Sequence, residues 1–226
     1  MNINFPKLIL TKHMSKPTTH KVFNLIILDE SGSMESIKQT IITGFNEVVQ
    51  TVKGVAEQYP EQEHYISLIS FNGLGIKTIH ANEPVSQLHA IDDKKYQPDA
   101  STPLYDAMGA GLAMQRREAE QHSACNVLVT ILTDGEENAS KEYQAESIRK
   151  MIEELQLKNW TFTYIGANHD VTKVAASLSI TNTMQFEANE SSMQQMFAKE
   201  KRARMAYSKK ISKQQDTSSG FYDEEA

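Results

Sequence analysis

Apolar positions along the chain fall into two recurring patterns. Val22–Asp29 (VFNLIILD) is almost wholly apolar, as a parallel strand covered on both faces should be. Directly after it, Ile37, Ile41, Phe45, Val48, Val52, Val55 and Tyr59 recur three or four apart. They form one stripe of a helix, and Pro60 closes it. A second strand-like run, Tyr65–Phe71, meets Asn72-Gly73 and then Gly75–His80. Asn-Gly between two such runs predicts a hairpin, because both central turn positions take positive φ. One strand is therefore expected to run antiparallel at a sheet edge. Val127–Thr133, Trp160–Gly166 and Thr183–Glu187 supply three further strands. Helical spacing fills the gaps at about Leu104–Gln121, Lys141–Leu157 and Val171–Leu178, with Ser140 the expected N-cap of the second. A last helix opens at Asn189 or Ser191 and runs to about Ser212.

Strands that alternate with helices predict an α/β fold. The expected form is doubly wound, with a mostly parallel six-stranded sheet, one antiparallel edge strand and helices on both faces, Rossmann-like in plan. One domain over residues 21–213 accounts for these elements. It follows an extension of residues 1–20 and precedes an acidic tail, residues 214–226, whose polar Gly/Ser composition predicts disorder. Ala81–Ala100 is the one long irregular connection, and a connection of that length in a compact domain is often functional.

Composition narrows the function classes. The chain has 226 residues, 39% hydrophobic and 23% charged, enough for a real core. A formal net charge of −6 speaks against a whole-surface nucleic-acid binder. Cys125 is the lone cysteine, which excludes an internal disulfide and a cysteine-built zinc site. Near the start, the apolar run is only Leu8–Leu10, with Lys7 and Lys12 on either side. That is too short for a signal-peptide core or a membrane span, and a cytoplasmic protein is expected.

Candidate chemistry gathers where open α/β sheets bind ligands, beyond the carboxyl ends of their strands. Asp29-Glu30-Ser31-Gly32-Ser33 follows the first strand, Ser101-Thr102-Pro103 precedes a helix, and Thr133-Asp134-Gly135-Glu136-Glu137 follows another strand. They bring carboxylates and hydroxyls to one place, with no thiolate or histidine. Hard oxygen donors of this kind suit Mg²⁺, Mn²⁺ or Ca²⁺.

Asp29-x-Ser31-x-Ser33, a later Thr102 and Asp134 within Thr-Asp-Gly resemble the metal-ion-dependent adhesion site of von Willebrand factor A domains, and the strand–helix pattern resembles that family from about Lys21 to Ile211. The resemblance implies that Ser31, Ser33 and Thr102 coordinate a divalent ion through their hydroxyls, with Mg²⁺ the first expectation. It implies that Asp29 and Asp134 act largely through bound water and through hydrogen bonds to those hydroxyls. An ion so held keeps net positive character and one open position, which an Asp or Glu of a partner protein fills. The chain departs from the family in carrying Ser101 where glycine often precedes the threonine. Bacterial cytoplasmic relatives work beside AAA+ ATPases or in stress-response assemblies, and a partner of that kind is expected here.

Other features read as structural. Glu30, Glu136 and Glu137 are expected to be solvated neighbours that make the rim acidic, and Asp106 to favour its helix dipole. Gly109-Ala110-Gly111 lies within a helix and suits close packing better than a dinucleotide. Asp170, beside His169, suits a helix cap. The basic stretch Lys199–Lys213 reads as a solvated face, and nucleic acid is not the expected partner. Met193, Met196 and Phe197 are expected core residues. The expected function is a non-enzymatic, metal-dependent interaction module. A metal-dependent hydrolase or phosphotransferase at the same residues is the alternative, and it requires a nucleophile or base beside the ion.

Overall fold

The computed structural model describes residues 19–167 and 169–223. Six strands form one sheet: β1 His20–Asp29, β2 Gln62–Asn72, β3 Gly75–Pro84, β4 Cys125–Thr133, β5 Trp160–Gly166 and β6 Asn182–Gln185. Their order is β3-β2-β1-β4-β5-β6. All neighbours pair parallel except β2 and β3, so β3 is the expected antiparallel edge. The helices are α1 Lys38–Gln58, α2 Leu104–Ala119, α3 Ala145–Gln156, α4 Val171–Ser177 and α5 Glu190–Ser212, with a 3₁₀ turn at Gly32–Ile37 leading into α1.

Period-two side-chain alternation assigns each strand residue to a face. Val22, Ile26, Leu28, Ile66, Leu68, Leu128 and Leu132 pack with the stripe of α1 and with Met193, Met196 and Phe197 of α5. Phe23, Leu25, Ile27, Val127, Val129, Ile131, Phe162 and Tyr164 pack on the opposite face with α2, α3 and α4. Close approach is built in: a Cβ on Gly109 would stand 2.5 Å from the Tyr143 ring, and one on Gly111 would stand 3.1 Å from Ile69. These helix glycines pack, as expected.

Several local expectations change. At the hairpin, Asn72 pairs with Gly75, so Gly73-Leu74 forms the turn and Asn-Gly does not occupy its centre. Asn72 instead caps the turn, its Oδ1 accepting from the Leu74 amide at 3.0 Å. Helix α3 begins at Ala145 with Gln144 as its cap and Ser147 completing a capping box. Ser140, the expected cap, donates to Glu137 Oε2 at 2.7 Å and accepts from the Asp106 amide at 3.0 Å.

The stretch Lys199–Lys213 is not a uniformly solvated face, because Glu200 and Arg204 are buried beneath α5. The Arg204 guanidinium donates to Glu200 Oε1 at 2.8 Å, Asn24 Oδ1 at 2.9 Å and Thr130 Oγ1 at 2.8 Å. Glu200 Oε2 accepts from the Tyr222 hydroxyl at 2.8 Å.

Tyr222 belongs to the tail for which composition predicts disorder. Its described part, residues 214–223, folds across the starts of β4, β5 and β6 instead. Thr161 Oγ1 donates to Thr217 O at 2.8 Å, and the Phe221 amide donates to Asn182 Oδ1 at 2.9 Å. Phe221 and Tyr222 are buried; two adjacent aromatics anchor a segment whose composition reads as solvated. Of the expected extension, residues 1–18 lie outside the described residues, as do residues 224–226.

Candidate metal centre

The strand order reverses between β1 and β4, and a doubly wound sheet opens a crevice at that point, beyond the carboxyl ends. β1 ends on Asp29 and β4 on Thr133, so Asp29 and Asp134 meet at the crevice mouth. Both are deeply buried, at 0% and 2% exposure.

Each carboxylate is oriented by its own neighbours. Asp29 Oδ1 accepts from the Ser31 amide at 2.7 Å, closing an Asx turn, and its Oδ2 accepts from Thr133 Oγ1 at 2.6 Å. Ser33 Oγ donates to Asp134 Oδ1 at 2.6 Å and lies 3.2 Å from Ser31 Oγ. A hydroxyl that gives its proton to a carboxylate keeps its lone pairs for a cation. Thr102 joins from the third loop: a Cβ placed on Gly135 would stand 3.8 Å from Thr102 Oγ1 and 4.0 Å from Ser33 Oγ. The structure thus brings all five expected residues to one spot. Ser31 and Thr102 are buried, whereas Ser33 is exposed and opens the site to solvent on one side.

The loop carrying Thr102 is the long connection singled out for its length, and it is tied down. Tyr96, fully buried, donates its hydroxyl to Asp29 O at 2.6 Å. The Asp99 amide bonds Glu30 O at 2.9 Å, and the Gly32 amide bonds Ala100 O at 3.0 Å. Ala100 takes φ +61°, a left-handed conformation costing about 1 kcal/mol for a residue with a Cβ, just before Ser101-Thr102. The Thr102 amide donates to Asn138 Oδ1 at 2.9 Å, which links this loop to the one after β4.

Two glutamates expected at a solvated rim serve the scaffold. Glu30 is fully buried, and its Oε1 accepts from Lys77 Nζ at 2.9 Å and the Gln97 amide at 2.5 Å. Glu137 accepts from the amides of Tyr105, Ala139 and Ser140 at 2.7 to 2.9 Å, capping the start of α2. Glu136 is exposed, as expected. Asp106 accepts from the amides of Lys141, Glu142 and Tyr143 at 2.8 to 2.9 Å; burial pushes its carboxyl up, but these three bonds and the Lys141 charge bring it below the usual range. Asp170 caps α4, accepting from the Lys173 amide at 3.0 Å. His169 is engaged by the Tyr164 hydroxyl at 3.2 Å and by Ala167 O.

Thr133, Tyr96 and Asn138 were not among the expected site residues. Thr133 carried a signal, as the residue before the Asp-Gly pair. Tyr96 carried a fainter one, as a lone aromatic within a polar connection.

The donor set fits a hard divalent cation. Among the described residues neither Asp29 nor Asp134 forms an ion pair, and burial pushes both carboxyls above the usual range. A cation is the counter-charge that such a pair lacks. No cluster of three His, Cys, Asp or Glu suited to a metal occurs among the described residues; the site offers two carboxylates and three hydroxyls instead.

A mostly parallel, doubly wound sheet with loops from its central strands converging on a switch-point crevice defines a Rossmann-like α/β domain. A family model, the von Willebrand factor type A domain, matches residues 25–212, and the chain belongs to that family. Domains of this family are mostly protein-interaction modules, and many depend on a metal.

Solved structures agree on the fold. The pilus adhesin SpaC from Lactobacillus rhamnosus GG, in an open conformation, is similar with a TM-score of 0.58 at 12% identity, over 82% of this chain and 30% of its own. Proximal thread matrix protein 1 from the mussel byssus gives 0.52 at 11% identity, over 80% of this chain and 45% of its own. A von Willebrand factor type A protein from Catenulispora acidiphila gives 0.50 at 18% identity, over 84% and 43%. The chain spans less than half the length of each of these three. Among curated proteins, none matches the chain. No helix among the described residues is long and apolar enough to cross a membrane.

Proposed function

We propose that this domain is a metal-dependent protein-interaction module. Asp29, Ser31, Ser33, Thr102 and Asp134 hold one divalent ion, Mg²⁺ first and Mn²⁺ or Ca²⁺ as substitutes, and the ion accepts an Asp or Glu of a partner protein. The observation that supports this reading most strongly is the pair of buried carboxylates, bonded among the described residues to hydroxyls and amides, beside an exposed Ser33. With two carboxylates turned largely toward neighbouring hydroxyls, the ion stays underneutralised and attracts a third from outside. The domain is then not an enzyme. Its partner belongs to an intracellular assembly, such as an AAA+ ATPase or stress-response complex.

The test is metal binding and its consequence. Mg²⁺ at 100 times its Kd is expected to stabilise the fold by about 2.7 kcal/mol, measured by denaturant unfolding with and without EDTA. Ser31→Ala and Asp29→Ala are expected to remove that gain. Metal-independent stability would refute the reading. Turnover of phosphate esters by pure protein, lost in Asp134→Ala, would replace it with the hydrolytic alternative.

A further inference from the structure

Large exposed apolar side chains are few among the described residues: Leu74 at 77%, Ile76 at 39%, Leu157 at 87% and Met205 at 42%. Leu74 and Ile76 stand together at the β2–β3 turn, at the end of the sheet that carries the metal centre. Their position is fixed. Asn72 Oδ1 accepts from the Leu74 amide at 3.0 Å, and Asn72 Nδ2 donates to Glu30 O at 3.3 Å, within the Asp29–Ser33 loop. On the other side, Gly73 lies so close to the Thr102 loop that an added Cβ would fall 2.3 Å from Ser101 Oγ and 3.0 Å from Ser101 N. The turn is thus wedged between two of the three loops that build the metal centre, and it still presents a leucine to water.

Between this turn and the start of α2 runs a groove of ≈ 320 Å³, lined by Leu74, Ile76, Ser101, Pro103, Lys141 and Glu142 among others. Ser101 and Pro103 flank Thr102 in the chain, so the groove borders the loop that carries this candidate ligand. Asp106 also reaches it, but three backbone amides already satisfy its carboxylate. Leu74 and Ile76 thus form one apolar wall of a groove otherwise lined largely by polar residues, beside the Thr102 loop, and an exposed leucine held in such a place suits desolvation by a partner.

We infer that this groove seats an apolar side chain of the partner. It rests on the proposed metal-bridged function and specifies the partner's chemistry: a protein segment that gives Asp or Glu to the ion and places a Leu-, Ile-, Met- or Phe-sized residue within about three positions of it, a reach of about 10 Å in extended chain. The ion supplies the general attraction for carboxylates, and the Leu74–Ile76 wall selects among them.

A displayed library of short peptides with a fixed central Glu and random neighbours, panned on the full chain in Mg²⁺, tests this. Selected peptides are expected to share an apolar residue at one offset from the Glu. Leu74→Ser, at an exposed turn position, is expected to weaken them about tenfold or more while leaving Mg²⁺ affinity unchanged. Peptides that need both Glu and Mg²⁺ but show no apolar preference, or that bind Leu74→Ser equally well, would overturn the groove's role and leave the metal reading standing. A concentration-dependent dimer lost in Leu74→Ser would assign the patch to a second copy of the chain and likewise overturn it. A library that returns no Mg²⁺-dependent binder would remove the metal reading itself, and the groove's role with it.

Discussion

His64 makes the fold acid-sensitive by an amount the structure sets. It lies on β2 opposite Val22, is 4% exposed, and neither ring nitrogen has a hydrogen-bond partner. Burial, reinforced by the nearby Arg204 and His20 charges, lowers its pKa from 6.5 to about 4. The ring is therefore neutral in the folded chain where it would be protonated in the unfolded one. A folded pKa below the unfolded value leaves stability intact above pH 6.5. It is then lost as pH falls toward 4, because only the unfolded state binds the proton in that window. At about 1.4 kcal/mol per unit, the loss from His64 alone is roughly 2.5 kcal/mol between pH 7.5 and 4.5. Other groups titrate over the same range, so the measurement is a comparison. Urea unfolding of wild type and His64→Met at both pH values should show the variant gaining about 2.5 kcal/mol on wild type as pH drops. A relative gain below about 0.5 kcal/mol would refute the argument, because it would mean that the ring is solvated or paired in solution.

Arg204→Met should cost about 3–5 kcal/mol in denaturant unfolding, because it strands the Glu200 carboxylate beneath α5; the double variant with Glu200→Met should recover most of that loss, and additive losses would show that the two are not coupled. Thr133→Val removes the hydroxyl that orients Asp29 without filling new space. Titration calorimetry should find Mg²⁺ bound about 10- to 100-fold more weakly, as for other groups that orient metal ligands, with the circular dichroism spectrum unchanged. Undiminished affinity would show that Asp29 needs no such support.

Much of the architecture was legible because its signals are local. The all-apolar β1 run, the α1 stripe and the oxygen-rich residues at strand ends each sit within a few positions of one another, and periodicity or motif reads them directly. The five candidate ligands lie on three such local pieces, and the resemblance to the family joined them into one set. What fixes those ligands in place was not. Tyr96 reaches Asp29 O across 67 positions, and Glu30 meets Lys77 and the Gln97 amide across 47 and 67; no pattern in one sequence marks such pairs. Glu30 and Glu137 show how composition misleads here, since an acidic residue beside a metal motif looks solvated until backbone amides are found around it. The aromatic pair at Phe221-Tyr222 was the readable exception in the tail, outweighed by its polar neighbours.

The two faces of the sheet also differ in kind, and the difference bears on the centre. Beneath α2, α3 and α4 the strands contribute Phe, Leu, Ile and Val, with Ser67 and Gln115 bonded to each other at the edge. Beneath α5, the middle stretches of β1, β4 and β5 contribute Asn24, Thr130 and Thr163, and the start of β2 contributes His64. Asn24 and Thr130 accept from Arg204, Thr163 donates to Thr130, and Glu200 and Tyr222 bond each other beside them. Apolar packing tolerates small slips, whereas a buried guanidinium with three oriented acceptors is satisfied in one register only. The polar layer thus fixes where α5 and the tail lie against β1 and β4, and these are the two strands whose far ends carry Asp29 and Asp134. Loosening it in Arg204→Met should therefore lower stability far more than it lowers Mg²⁺ affinity, since the ligands are held by their own loops. If metal affinity instead fell in step with stability, the centre would depend on the sheet's whole alignment and not on the hydrogen bonds of Thr133, Tyr96 and Asn138.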